Sequence, residues 1–83
     1  MNREEILTQV IEMVAEVAEL EVEEVSADAN LPDELGIDSL MGLEILVMVE
    51  RSFGAKLQEE QLQLMTTPDK ITELIIENLS VAA

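Results

Sequence analysis

The chain has no cysteine, histidine, tryptophan or tyrosine, and its one aromatic side chain is Phe53. Without cysteine there is no disulfide scaffold and no thiolate metal site; without histidine as well, the usual ligands of zinc are gone. Any thiol used here has to come from a cofactor. Basic residues are also scarce: four Lys and Arg stand against nineteen Asp and Glu, a formal charge of −15. Such a chain repels nucleic acid and anionic membranes, and it attracts basic protein surfaces over a Debye length of about 8–10 Å. The same charge also keeps a small domain soluble. No apolar run approaches the ~20 residues of a membrane span, and the start Met1-Asn2-Arg3-Glu4-Glu5 lacks the pattern of a secretory signal. The expected location is the cytoplasm.

Hydrophobic residues make up 48% of the 83. The length predicts one domain over residues 1–83, which removes about 60–65% of its unfolded surface from water. With aromatics at 1%, its core must be aliphatic and easily reshaped.

Helical periodicity dominates. Ile6, Leu7, Val10, Met13, Val14, Val17 and Ala18 fall three or four apart with glutamates between them, which predicts an amphipathic helix opened by an Asn2–Glu5 capping box. Residues 19–37 lose the period and contain Ser26, Asp28, Asn30, Pro32 and Gly36, so they read as a long connection pinned by Val22, Val25, Leu31 and Leu35. A second helix is predicted over Ser39 to Phe53, with Asp38 as N-cap and Gly54 as the left-handed stop. Its apolar residues nearly encircle it: Ile45, Leu46, Val49 and Phe53 suit a core, while Leu40, Leu43 and Val47 lie on another side. Gln58 to Met65 can form a short helix with Leu62 and Met65 inward. Thr67-Pro68-Asp69 starts a last helix with Ile71, Leu74, Ile75 and Leu79 as its stripe, fraying over Ser80 to Ala83. The expected fold is an all-α, four-helix bundle with a long first loop and a short third helix.

Candidate chemistry converges on Ser39, at the start of the second helix behind a glycine turn. With no histidine or cysteine and an acidic neighbour, it has no base to make it a nucleophile of its own, and no pair or triad elsewhere forms a catalytic constellation. The chain reads as a substrate of other enzymes, not an enzyme. A serine at a helix N-terminus can receive a phosphodiester, whose charge the helix dipole favours; the alternative is a serine that merely follows a cap. Asp28, Asn30 and Asp33 loosely suggest a calcium loop, but Asp33 fills the glycine position and Ser39 the place of the final Glu, so no specific metal site is expected, only weak, non-specific binding of divalent cations.

The run Leu35-Gly36-Ile37-Asp38-Ser39-Leu40, followed by Met41-Gly42-Leu43-Glu44, resembles the attachment site of acyl carrier proteins, and the resemblance covers nearly the whole chain. It implies that Ser39 carries 4′-phosphopantetheine, loaded from coenzyme A by a phosphopantetheinyl transferase, with acyl groups held as thioesters. It implies partners with basic docking patches, such as an acyltransferase, a ketosynthase or other acyl-processing enzymes. Asp38, Leu40, Met41, Leu43, Glu44, Val47 and Glu50 are the docking candidates, against the alternative of solvated surface charge. Leu46, Leu62, Met65, Leu74 and Ile75 are candidates for an acyl pocket, against the alternative of plain core. Gly42 either lets the arm or a partner approach or permits close packing with a neighbouring helix. Arg51 departs from the acid common in fatty acid carriers, and Met41-Gly42 replaces their usual acid and hydroxyl residue. The order is similar to carriers of polyketide synthases, with primary fatty acid synthesis or a non-covalent interaction module as alternatives. A monomer is expected, read as a free-standing carrier, with a domain excised from a larger synthase as the alternative.

Overall fold

The computed structural model describes the backbone of residues 2–82 and the side chains of residues 2–79. Among the described residues the regular elements are all helical: α1 (Arg3–Ala18), a 3₁₀ turn (Val22–Glu24), α2 (Leu31–Leu35), α3 (Ser39–Phe53), a 3₁₀ helix (Glu59–Leu64) and α4 (Pro68–Ala82). The all-α bundle inferred from periodicity is the fold observed.

Each long helix begins where its cap dictates. Asn2 Oδ1 accepts the Glu5 N–H at 2.9 Å and a Glu5 carboxylate oxygen accepts the Asn2 N–H at 3.2 Å, closing the capping box of α1. Asp38 takes the Met41 N–H at 2.9 Å at the head of α3, and Thr67 Oγ1 takes the Lys70 N–H at 3.1 Å at the head of α4. Each such cap contributes about 1 kcal/mol.

Helix α1 packs against both α3 and α4. Between them lie Ile6, Val10, Met13, Val14, Ile45, Leu46, Val49, Ile71, Leu74 and Ile75, all buried. In α4, Leu79, expected inside, is 37% exposed. The helix continues to Ala82, beyond the predicted fraying point, and Ala83 lies outside the described residues.

The long connection is more structured than expected. Pro32 and Gly36, read as loop signals, are the start and stop of the five-residue α2: Asn30 Oδ1 accepts the Asp33 N–H at 2.9 Å, the Glu34 carboxylate accepts the Asn30 N–H, and Gly36 closes the helix at φ 67°. Pro near a helix start and Gly just past its end are signs of a helix as much as of a loop. Val25, Ala29, Leu31 and Ile37 anchor the connection in the core, whereas Val22 turns outward at 45% exposure, against expectation. Two backbone bonds tie it to the approach to α4, Leu31 N–H to Thr66 O at 2.8 Å and Asp69 N–H to Ala27 O at 2.9 Å. The predicted short third helix is a 3₁₀ helix, with Met65 buried and Leu62 half-buried.

Candidate functional site at the head of α3

Gly36, Ile37 and Asp38 determine where Ser39 stands. Gly36 turns the chain, Ile37 is buried and donates its N–H to Leu31 O at 3.0 Å, and Asp38 caps α3. Ser39 is therefore the first residue of α3, exposed, and nothing among the described residues hydrogen-bonds its hydroxyl. Asp38 is already engaged by the Met41 N–H, and no histidine exists to take the Ser39 proton. Among the described residues no group of three His, Cys, Asp or Glu could hold a metal, and no helix is long and apolar enough to cross a membrane.

On one side of Ser39 opens a cleft of about 280 Å³ between α3 and the 3₁₀ helix. Leu31, Ile37, Ile45, Leu62 and Met65 make it apolar, and Pro32, Asp38, Glu59 and Gln63 lie along it with Gly42 and Ser39. A Cβ placed on Gly42 would sit 3.2 Å from Leu62 Cδ1, so the missing side chain lets the 3₁₀ helix close on α3 beside the serine. Of the five acyl-pocket candidates, Leu62 and Met65 line this cleft; Leu46, Leu74 and Ile75 are buried in the core and do not.

On the other side, Leu40, Leu43, Glu44 and Val47 follow helical spacing along one face of α3. They line an open groove of about 630 Å³, whose other wall is Glu16, Val17 and Glu19 at the end of α1, with Met48 also lining it. Leu40 is 67% exposed and Val47 44%. Asp38 and Glu50 are exposed and Met41 is half-buried, but none of the three lines the groove. The α1 wall and Met48 escaped the sequence reading, because which end of α1 meets which face of α3 is a tertiary fact that neither helix's own period encodes.

A phosphodiester-linked arm fits these residues: a free, exposed hydroxyl at the positive end of a fifteen-residue helix, and an apolar cleft alongside.

The sequence matches the family described as phosphopantetheine attachment site over residues 8–75. It is 41% identical over 71 residues to polyketide-8 synthase acyl carrier protein 2 of Streptomyces avermitilis, covering 86% of this chain and 82% of that one. It is 36% identical over 73 residues to the meromycolate extension acyl carrier protein of Mycobacterium leprae, covering 87% and 64% of the two chains. To an acyl carrier protein of Acidothermus cellulolyticus it is 30% identical over 83 residues, covering 100% and 98%.

Proposed function

Because the chain belongs to the acyl carrier protein family, whose members carry 4′-phosphopantetheine and are not themselves catalysts, we propose that Ser39 is the point of attachment and residues 1–83 act as one monomeric carrier domain in the cytoplasm. The observation that carries this is the free Ser39 hydroxyl at the first position of α3. In the loading reaction Ser39 Oγ forms the new bond to phosphorus, the pyrophosphate bond of coenzyme A breaks, and adenosine 3′,5′-bisphosphate leaves. The serine proton passes to a base of the transferase, since this chain offers none. When bound, the arm supplies a thiol that holds acyl groups as thioesters, and tethering raises their effective concentration at each enzyme on which the carrier docks.

The residues around the serine divide the remaining work. The cleft that includes Leu62 and Met65 shelters the acyl end between deliveries. The outer face of α3, with Asp38, Leu40, Met41, Leu43, Glu44, Val47 and Glu50, meets basic patches on the transferase and on acyltransferase, ketosynthase or other acyl-processing partners. Apolar residues at its centre give the desolvated contact that binding energy requires, and the acids at its rim give encounter rate and specificity. The pathway favoured is polyketide or related secondary-metabolite biosynthesis, supported by the order Asp38-Ser39-Leu40-Met41-Gly42-Leu43-Glu44 and by the likeness to the Streptomyces avermitilis carrier.

Intact-protein mass spectrometry tests the attachment. After incubation with coenzyme A, magnesium and a broad-specificity phosphopantetheinyl transferase, the chain gains one phosphopantetheine and the folded Ser39→Ala variant gains none. No gain on the unsubstituted chain with two different transferases would favour a non-covalent interaction module.

A further inference from the structure

Among the described residues, three take up the left-handed backbone: Gly36 at φ 67°, Gly54 at φ 70° and Glu19 at φ 57°. At all three a helix ends. Glycine bears this conformation without steric cost, and Asn or Asp recover part of that cost through local hydrogen bonds, but a glutamate does neither. Glu19 closes α1 with backbone bonds alone, its own N–H to Glu16 O at 3.3 Å and the Leu20 N–H to Ala15 O at 2.8 Å. Among the described residues its carboxylate has no hydrogen bond or ion pair. A glycine would make the same turn more cheaply, so the folded chain alone gives no reason for the glutamate.

The groove supplies one. Glu19 and Glu16 form its α1 rim and Glu44 its α3 rim, none of the described residues lining it is basic, and its floor includes the exposed Leu40 and Val47. An apolar trough with carboxylates on both sides complements an apolar side chain flanked by arginine or lysine. It is also continuous with the head of α3, because Leu40 follows Ser39 directly. We propose that enzymes acting at Ser39, the phosphopantetheinyl transferase first among them, seat such a basic-flanked apolar side chain in the groove between α1 and α3, with Glu19 held in a strained conformation to read its cation. This rests on the α3 docking reading above and extends it to a second wall, on α1.

The test measures KM and kcat for Ser39 loading by a broad-specificity transferase at low ionic strength, together with melting temperature. Glu19→Gly should melt a few degrees higher, about 2–6 °C, as the backbone strain is relieved. Its KM should nevertheless rise about 3- to 10-fold with kcat unchanged, the sign of lost binding and not lost chemistry. Glu19→Lys should raise KM further, and added salt should narrow the difference. Glu4→Lys makes the same charge change at the other end of α1, about 22 Å away along the helix, and should leave KM alone. A Glu19→Gly protein loaded as well as the unsubstituted chain, while Glu44→Lys is impaired, would overturn the α1 wall and leave the α3 reading intact. Equal loading of Glu44→Lys as well would overturn both, and equal impairment by Glu4→Lys would show that net charge, not the groove, is being read.

Discussion

Helix α3 presents two apolar faces that meet opposite fates. Ile45, Leu46 and Val49 are buried against α1 and the rest of the core, while Leu40 and Val47 on the outer side stand 67% and 44% exposed. By composition the two sets are interchangeable; their spacing on the helix separates them. A helix that only had to fold would need a single apolar stripe. The second stripe lowers solubility and adds little to the folded state, which supports the proposed docking of partners on this face beside Ser39.

Substitutions on the two faces should therefore behave as different classes. The largest effect on folding is expected from Ile45→Ala, which empties a fully buried site and should cost about 2–5 kcal/mol in denaturant unfolding. If Ile45→Ala proved mild, the inner face would not be the core of the fold. Removing the cap that joins the faces to the serine, by Asp38→Ala, should cost about 1 kcal/mol, seen as a lower denaturant midpoint with an unchanged slope. Gly42→Ala sets a helix-propensity gain of up to about 1 kcal/mol against the 3.2 Å approach to Leu62. Because Leu62 is half-buried and has room to shift, the net should be a stabilisation smaller than that gain, with a narrower cleft beside Ser39. A stabilisation of the full amount would mean that Leu62 yields freely and that Gly42 is not needed for close packing. On the outer face, Val47→Ala and Leu40→Ala should change stability by no more than about 0.5 kcal/mol while weakening the docking of the transferase. A large loss of stability from either would place these residues in the core and end the distinction. Comparably small, Arg3→Ala breaks exposed ion pairs to Asp69 at 3.0 Å and Glu73 at 3.9 Å, and a chemical melt should register about 0–1 kcal/mol.

The sequence was most readable where side chains act on their own backbone. Asn2 with Glu5, Asp38, and Thr67 with Pro68 each fix a helix start by contacts three residues long, and the period between caps marks the inward face. Legibility fell where one signal has two meanings: Pro32 and Gly36 bracket a single helical turn as readily as they interrupt one. It failed where partners meet only in three dimensions. That Val17 and Glu19 would face Leu40 and Leu43, or that Leu74 and Ile75 would lie in the core away from the cleft holding Leu62 and Met65, depends on how helices cross, and no helix carries that in its own repeat. The place of Ser39 at the head of α3 was legible for the opposite reason, since the glycine turn, the cap and the first helical residue fall within four residues of the chain.

The most direct measurement is the location of the arm. After loading with coenzyme A and a transferase, proteolysis and fragmentation mass spectrometry should place one phosphopantetheine on the peptide that contains Ser39, on that serine alone, with Ser26, Ser52 and Ser80 unmodified. An arm found on Ser52, which lies on the same helix and is also exposed, or an unmodified chain under conditions that load other carriers, would contradict the claim that the head of α3 is built for attachment.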